Sequence, residues 1–406
     1  MRKARIIAAA LVFGAAGVAV AHQARYEDVV RNLRNPDPKA RLNAVRLLRE
    51  ARYPEAVVPL AALVNDPLDT IQLEAIAAEL SFFLVEDIPQ RRRVGLVEVR
   101  NRGAAATAFD LGPLAVWPRP APPEVVMALL KAVDDENERV RFEALYAMGT
   151  IARSPLTPEV EQLLIKALDH YDPAIRAAAA RIAGRLGVTA AADTLMKSVS
   201  DSNADVRYAA MRSLGMLKDE RGVTALTEQL KFYGRGEGAW SALDGLARIA
   251  HPSSIALFAS RLTDRDEYVR RAAAEGLGRA GDKSAIAALE TGAGNDPSAM
   301  VRAAMQYALQ KLGRNYVARL IEFLPDAKTS VQVQDYLFEF GPSIENQLLP
   351  SLQEPDEAMR AAIAEVLGQI GGDASLAALR DLKDRDRDVV QAATRAVERI
   401  KIRRSL

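Results

Sequence analysis

The stretch DPAIRAAAARIAG, residues 172–184, is nearly all alanine, with one arginine near its front and a glycine at its end. It returns as ADVRYAAMRSLG at 204–215, as DEYVRRAAAEGLG at 266–278 and as DEAMRAAIAEVLG at 356–368. With the arginine as a ruler, the equivalent positions are Arg41, Gln72, Arg141, Arg176, Arg207, Glu237, Arg270, Arg302, Val333, Arg360 and Gln391. The intervals are 31, 69, 35, 31, 30, 33, 32, 31, 27 and 31 residues, so only one is out of step. A period near 31 holds two short helices and two turns and is too short for a compact domain. The 406 residues therefore read as one array in place of two or three ordinary domains.

Each unit carries helical spacing. Apolar or small residues stand just before the ruler and then four and eight residues on, as Val206, Ala210 and Leu214 or Val269, Ala273 and Leu277, which places them on one helical face. Turns such as Asn65-Asp66-Pro67, Asp172-Pro173, Asn295-Asp296-Pro297 and Pro355-Asp356 precede this helix and offer side-chain acceptors or a fixed φ at its start. Eight residues after the ruler stands Gly149, Gly184, Gly215, Gly245, Gly278, Gly341 or Gly368, a residue suited to a left-handed helix end. The partner helix is the segment before the next turn, for example 223–232 or 284–293. Helices of about three turns are marginal alone in water, so adjacent units must cover one another. The expected fold is all-α: a right-handed, curved α-solenoid of about eleven antiparallel helix pairs, with atypical ends. Aromatics at 5% and abundant alanine suit close helix packing, and strand formers are sparse outside one segment.

The aspartate turn, the Val-Arg pair, the alanine-rich helix and the Leu-Gly ending resemble the HEAT repeat, in particular the short HEAT-like repeats of the phycobilisome bilin lyase type. The resemblance covers about 31–406 in eleven units. In similar repeats the arginine reaches an aspartate turn or backbone carbonyls of a neighbouring unit. Here Asp37/Arg41, Asp172/Arg176, Asp266/Arg270 and Asp356/Arg360 also have the i,i+4 spacing of a local pair. Recurrence in unit after unit is what a stacking contact needs, so Arg41, Arg141, Arg176, Arg207, Arg270, Arg302 and Arg360 are assigned to a structural ladder. Gln72, Glu237, Val333 and Gln391 replace the arginine, and the ladder is expected to break there.

The long interval leaves about 38 residues beyond one unit, at about 86–123. Residues 90–124 hold Arg91, Arg92, Arg93, Arg100, Arg102 and Arg119, and five prolines fall between Pro113 and Pro123. Val94 to Val99 can form a strand or hairpin arm, and the proline run favours extended chain. Such insertions map to surface loops. Two readings stand: a cap or mobile loop, and a flap whose Trp117 and Arg119 meet a partner. If the family pattern carries over, the ruler helix lines the concave side, and Phe142, Tyr146, Tyr208, Arg212, Tyr307 and Phe338 point outward as partner-binding residues.

The first residues have the parts of a secretory signal peptide over 1–21: Arg2, Lys3 and Arg5, an apolar run from Ile6 to Ala21, and a closing Ala19-Val20-Ala21. The alternative is an inner-membrane anchor, for which a 16-residue run is short against the roughly 20 residues that span a bilayer. No cysteine exists for a lipid anchor. Cleavage leaves 51 Lys+Arg against 53 Asp+Glu, a net charge of −2, and predicts a periplasmic or secreted chain over 22–406. A mixed, nearly neutral surface lacks the basic patch of a nucleic-acid binder.

The absence of cysteine also removes disulfides, thiolate nucleophiles and cysteine-ligated metals. The three histidines, His22, His170 and His251, stand apart, with no second ligand at a metal-site spacing. No phosphate-loop, nucleophile-elbow or zinc-helix motif is present. Deoxyhypusine hydroxylase resembles a HEAT-like array and holds di-iron through His-Glu pairs. Here Gln23, Tyr171 and Pro252 follow the histidines, so that chemistry is not expected. Repeats alone do not supply a bilin site either. The sequence therefore predicts an exported, non-enzymatic scaffold that binds a protein or peptide and needs no metal or cofactor. The alternative is an enzyme or accessory with a site under the 90–124 insertion.

Overall fold

The computed structural model describes residues 26–85, 114 and 116–406. The signal-peptide segment 1–21, the Val94–Val99 arm and most of the 90–124 insertion lie outside the described residues. The described residues fall into two compact units, one of 26–85 and 120–152, the other of 114, 116–119 and 153–406.

In the first unit α1 (26–32) and α2 (Pro38–Ala51) are followed by α3 (Val57–Ala61), α4 (Asp69–Phe83), α5 (Pro123–Lys131) and α6 (Glu138–Ile151). The ruler helices α2, α4 and α6 pack side by side, and α3 packs on α5 in a second layer. In the second unit each ruler helix follows a shorter partner. The pairs are α7 (Pro158–Ala167) with α8 (Pro173–Arg185), α9 (Ala192–Ser198) with α10 (Ala204–Leu217), and α11 (Gly222–Tyr233) with α12 (Gly236–Ile249). They continue as α13 (Ile255–Arg261) with α14 (Glu267–Ala280), and α15 (Ile286–Asn295) with α16 (Ala299–Lys311). The last are α17 (Val317–Leu320) with α18 (Ser330–Phe340), α19 (Glu345–Leu348) with α20 (Glu357–Ile370), and α21 (Asp373–Asp381) with α22 (Arg387–Ser405). From α8 to α22 every ruler helix packs on the next. Among the described residues there is no strand. The molecule is an all-α solenoid of stacked helix pairs.

The ruler helices start where the turns direct. Asp37, Asn137, Asp172, Asn203, Asp266, Asp356 and Asp386 each cap one, accepting a backbone N–H of the first turn. Such a helix meets a ruler helix on either side and its own partner on a third. It is therefore buried over most of its circumference, as at Ala177–Ala180 of α8 and Ala75–Leu80 of α4, and small side chains let the axes approach.

The glycine eight residues after the ruler ends its helix as expected at Gly341 (φ 64°), the cap of α18, but has a different role in four other ruler helices. Gly184, Gly215, Gly278 and Gly368 lie inside α8, α10, α14 and α20. A Cβ on Gly184 would meet Cα of Ser213 at 2.7 Å, and one on Gly278 would meet Cα of Ala308 at 2.6 Å. These glycines admit the backbone of the next ruler helix. The chain turns left-handed three residues later at Gly187 (φ 67°), Gly281 (φ 73°) and even Lys218 (φ 54°), and five residues after Gly245 at Ala250 (φ 54°).

Candidate functional site

The ladder arginines do not make the local i,i+4 pair. Arg41, Arg176, Arg270 and Arg360 reach forward into the turn of the following unit, where Nε and Nη2 grip both oxygens of Asp66, Asp201, Asp296 and Asp384 at 2.7–3.1 Å. The aspartate four residues before each arginine is already committed as the helix cap, so it is not the partner. Each of the four acceptors also takes the N–H two residues on, at 2.8–3.0 Å. In all seven ladder residues Nη1 donates to carbonyls five and six residues earlier, at 2.7–3.3 Å, as Arg141 does to Asp135 and Glu136. Arg207 Nε meets the Tyr233 hydroxyl at 2.5 Å, and Arg302 faces the Phe323 ring. Burial pushes the Asp296 carboxyl up, but Arg270 and the Ser298 N–H outweigh it and hold it below the usual carboxylate range.

The expected breaks are partly bridged. Gln72 Nε2 donates to Asp135 at 2.9 Å, the same forward reach with an amide in place of a guanidinium. Where Glu237 stands, Trp240 one turn on sends its Nε1 to Asp266 Oδ2 at 2.7 Å.

Of the six residues expected to point outward, three are core. Phe142, Tyr146 and Tyr307 are buried, the last two almost completely. Tyr307 lies in the contact between ruler helices, stacked on Tyr336 at 4.2 Å and on Phe340 at 5.4 Å, so it faces the next unit and not a partner. Tyr208 is half-buried against Tyr233, Arg212 is half-buried 3.9 Å from Glu237, and Phe338 is half-buried. Trp117 is half-buried beneath the guanidinium of Arg399, and Arg119 is exposed.

Around Tyr307 the structure places a buried polar network that the repeat pattern did not announce. Glu275 of α14 accepts from Arg271 and Arg279 of its own helix at 3.2 Å each and from the Tyr336 hydroxyl of α18 at 2.5 Å. Arg271 also reaches Asp244 of α12 at 2.6 Å. Arg279 reaches Glu339 at 2.9 Å, and Tyr307 donates to the same carboxylate at 2.5 Å. Burial raises the Glu275 and Glu339 carboxyls, but the arginines overrule it and hold Glu275 low and Glu339 down at about 2. Burial, reinforced by these carboxylates, pushes both tyrosine hydroxyls up. The ion pairs and hydrogen bonds run from Asp244 of α12 through α14 to Tyr307 of α16 and to Tyr336 and Glu339 of α18, so the network links four ruler helices.

An open recess of about 470 Å³ lies beside Trp240, Arg265, Glu267, Tyr268 and Pro297. The Trp240 ring lies tilted against Tyr268, with centroids 4.4 Å apart, and its indole N–H is tied to Asp266. Tyr268 remains 40% exposed. The sequence reading passed over this pair. The available signal was one of only two tryptophans, three residues after a ruler position that had lost its arginine.

His170 Nδ1 accepts the Asp172 N–H at 3.0 Å, and His251 caps a short turn through Ser253. His22 lies outside the described residues. Among the described residues no three His, Asp or Glu side chains gather as a metal site would require.

A two-layer stack of short helix pairs, tied by arginines into the next turn, defines an α-solenoid repeat protein. The family model for HEAT repeats matches residues 160–231, 236–310 and 317–398, and the chain belongs to that family. The pairs at 26–152 lie before the matched ranges and have the same construction. No curated protein matches the chain. Among solved structures, an engineered protein is similar at 18% identity over 93% of this chain and 98% of its own, with a TM-score of 0.41. Human deoxyhypusine hydroxylase in complex with glycerol is similar at 20% identity over 69% and 97%, with a TM-score of 0.30. The complex of CpcE and CpcF of phycocyanin lyase from Nostoc sp. is similar at 20% identity over 58% and 93%, with a TM-score of 0.34. These are likenesses of fold and carry no activity across.

Proposed function

We propose that this chain is an exported, non-enzymatic HEAT-repeat scaffold that holds a protein or peptide partner, with the Trp240–Tyr268 recess as an anchor point. The observation that carries this reading is the ring pair itself. Trp240 is locked by Asp266, Tyr268 is 40% exposed, and the recess between them and Pro297 has Arg265 and Glu267 beside it. A rigid aromatic surface loses little entropy on binding, and Trp, Tyr and Arg dominate interface energetics. The fitting partner feature is an apolar side chain from an extended segment, flanked by polar main chain that the mixed charges can meet. The basic start, the apolar run and the Ala19-Val20-Ala21 ending support export.

The test is site-specific photo-crosslinking in the cell envelope with the probe at position 268, compared with position 232, where Phe232 is 78% exposed away from the recess. A discrete partner is expected at 268 only, and Trp240→Ala is expected to reduce its yield by about tenfold or more. Equal labelling from both positions, or yield unchanged by Trp240→Ala, contradicts the reading. A mature N-terminus at His22 by mass spectrometry is expected if the chain is exported and cleaved, and retention of residues 1–21 contradicts it.

A further inference from the structure

At Arg302 the ladder keeps its arginine but not the acceptor. Arg302 Nη1 donates to the Asp296 and Pro297 carbonyls at 2.7 and 3.3 Å, the same hold that the Asp264 and Arg265 carbonyls give Arg270 at 2.8 and 3.1 Å. In Arg41, Arg176, Arg270 and Arg360 the remaining edge, Nε and Nη2, takes both oxygens of an aspartate in the following turn. Among the described residues no hydrogen-bond acceptor meets that edge of Arg302. Arg302 is half-buried, and its unmet nitrogens are not sealed from solvent.

The following turn shows why. Asp66, Asp201 and Asp296 stand six residues before the next ruler position, and six residues before Val333 stands Ala327. Asp326 beside it is exposed and takes the Lys328 N–H at 2.9 Å, with no ion pair to Arg302. The forward contact that Arg302 does make is with Phe323, whose ring centroid lies 5.9 Å from the guanidinium carbon. That is near the outer limit of a cation–π contact, about 6 Å, and a ring cannot take two in-plane N–H groups as a carboxylate does.

A guanidinium held by two carbonyls is already oriented, so seating a bidentate acceptor on its other edge loses little side-chain entropy. Four repeats of the same chain show which acceptor fits: a carboxylate with its oxygens at 2.7–3.1 Å from the two nitrogens. Position adds a second requirement. Pro297, whose carbonyl holds Arg302, also lines the recess beside Trp240 and Tyr268, so recess and guanidinium share one turn. Packed helices lie about 8–10 Å apart, a step that extended chain crosses in about three residues.

We propose that Arg302 is a carboxylate-docking residue, and that the partner segment seated in the recess carries an aspartate or glutamate about three residues from its apolar anchor, completing the ladder from outside. The inference rests on the recess reading above and supplies the chemistry of the partner's second contact.

The probes are the peptide Gly-Trp-Ser-Ser-Asp-Gly and its reverse, each with an asparagine twin, a neutral dye at the N-terminus and an amide at the C-terminus. They are titrated by fluorescence polarisation against the full chain. One aspartate peptide is expected to bind about tenfold tighter than its twin, as a charged bidentate pair does against a neutral amide. Arg302→Gln is expected to bring the twins level. Ala327→Asp supplies the carboxylate from within, so it is expected to raise the urea midpoint and also to level the twins. Twins that bind the unmodified chain alike, or not at all, overturn the proposal, as does a preference for aspartate that survives Arg302→Gln. Asp326→Asn as destabilising in urea as Asp296→Asn overturns it too, because Asp326 is then the occupant. The recess reading is judged separately, by whether Trp240→Ala weakens both twins and by the crosslinking at 268.

Discussion

At the scale of single residues, Glu339 shows how an acid is kept ionised under cover. Burial opposes its charge, but Arg279 and the Tyr307 hydroxyl hold it at about 2 against an ordinary 4.5. A carboxyl depressed on folding contributes stability that is full above its unfolded value and is lost as pH falls through the folded one. Thermal stability is therefore expected to decline between about pH 4.5 and pH 2, and Glu339→Gln is expected to be less stable at pH 7 and to flatten that decline. Melting curves from pH 2 to 7 check this, and an identical pH profile for both proteins contradicts it. Tyr307→Phe keeps the stack on Tyr336 but removes a donor to Glu339, so a loss of about 1–2 kcal/mol in urea unfolding is expected, and no loss would place the hydroxyl outside the network. These side chains were visible in the sequence only as unremarkable members of a ruler helix. Tyr307 was assigned to an outer face because spacing within one unit gives a direction around the helix and does not say which neighbour stands there.

At the scale of the element, the start of the ruler helix was legible and its end was not. Asp172 and Asp356 cap α8 and α20 as their turns announced, because a cap is a contact within four residues. The glycine was read as a stop because glycine suits the left-handed residue that ends a helix, although α8, α10, α14 and α20 run on past it. Its small size matters to the neighbouring helix, which lies about a whole period away in sequence. Gly278→Ala would bring Cβ within 2.6 Å of the Ala308 backbone, and an overpacking loss of about 1–3 kcal/mol is expected. Gly294→Ala, in α15 with nothing within 4 Å of the added Cβ, is expected to be neutral or to gain up to about 1 kcal/mol. Chemical denaturation of the two variants separates them, and equal effects would mean that helix propensity alone governs these sites.

At the scale of the whole molecule, the period in the sequence carried the fold class, because stacked pairs repeat their chemistry as often as their geometry. The partner of each ladder arginine was less legible. An i,i+4 aspartate is present in several copies, but it is spent on capping, and the acceptor stands in the next turn, 24 to 26 residues on. The candidate anchors divide the same way. Trp117 was singled out by its place in an odd, proline-rich insertion, whereas Trp240 went unnoticed inside a regular helix whose ruler residue had changed. What the four gripping arginines share is a tie into the repeat that follows and not into their own turn alone. A pair of double-mutant cycles in urea unfolding tests that most directly. Arg270 and Asp296 are expected to couple by about 1–3 kcal/mol, and Arg270 with Asp266 to couple by less than about 0.5 kcal/mol. A large coupling of Arg270 to Asp266 and none to Asp296 would contradict the forward ladder.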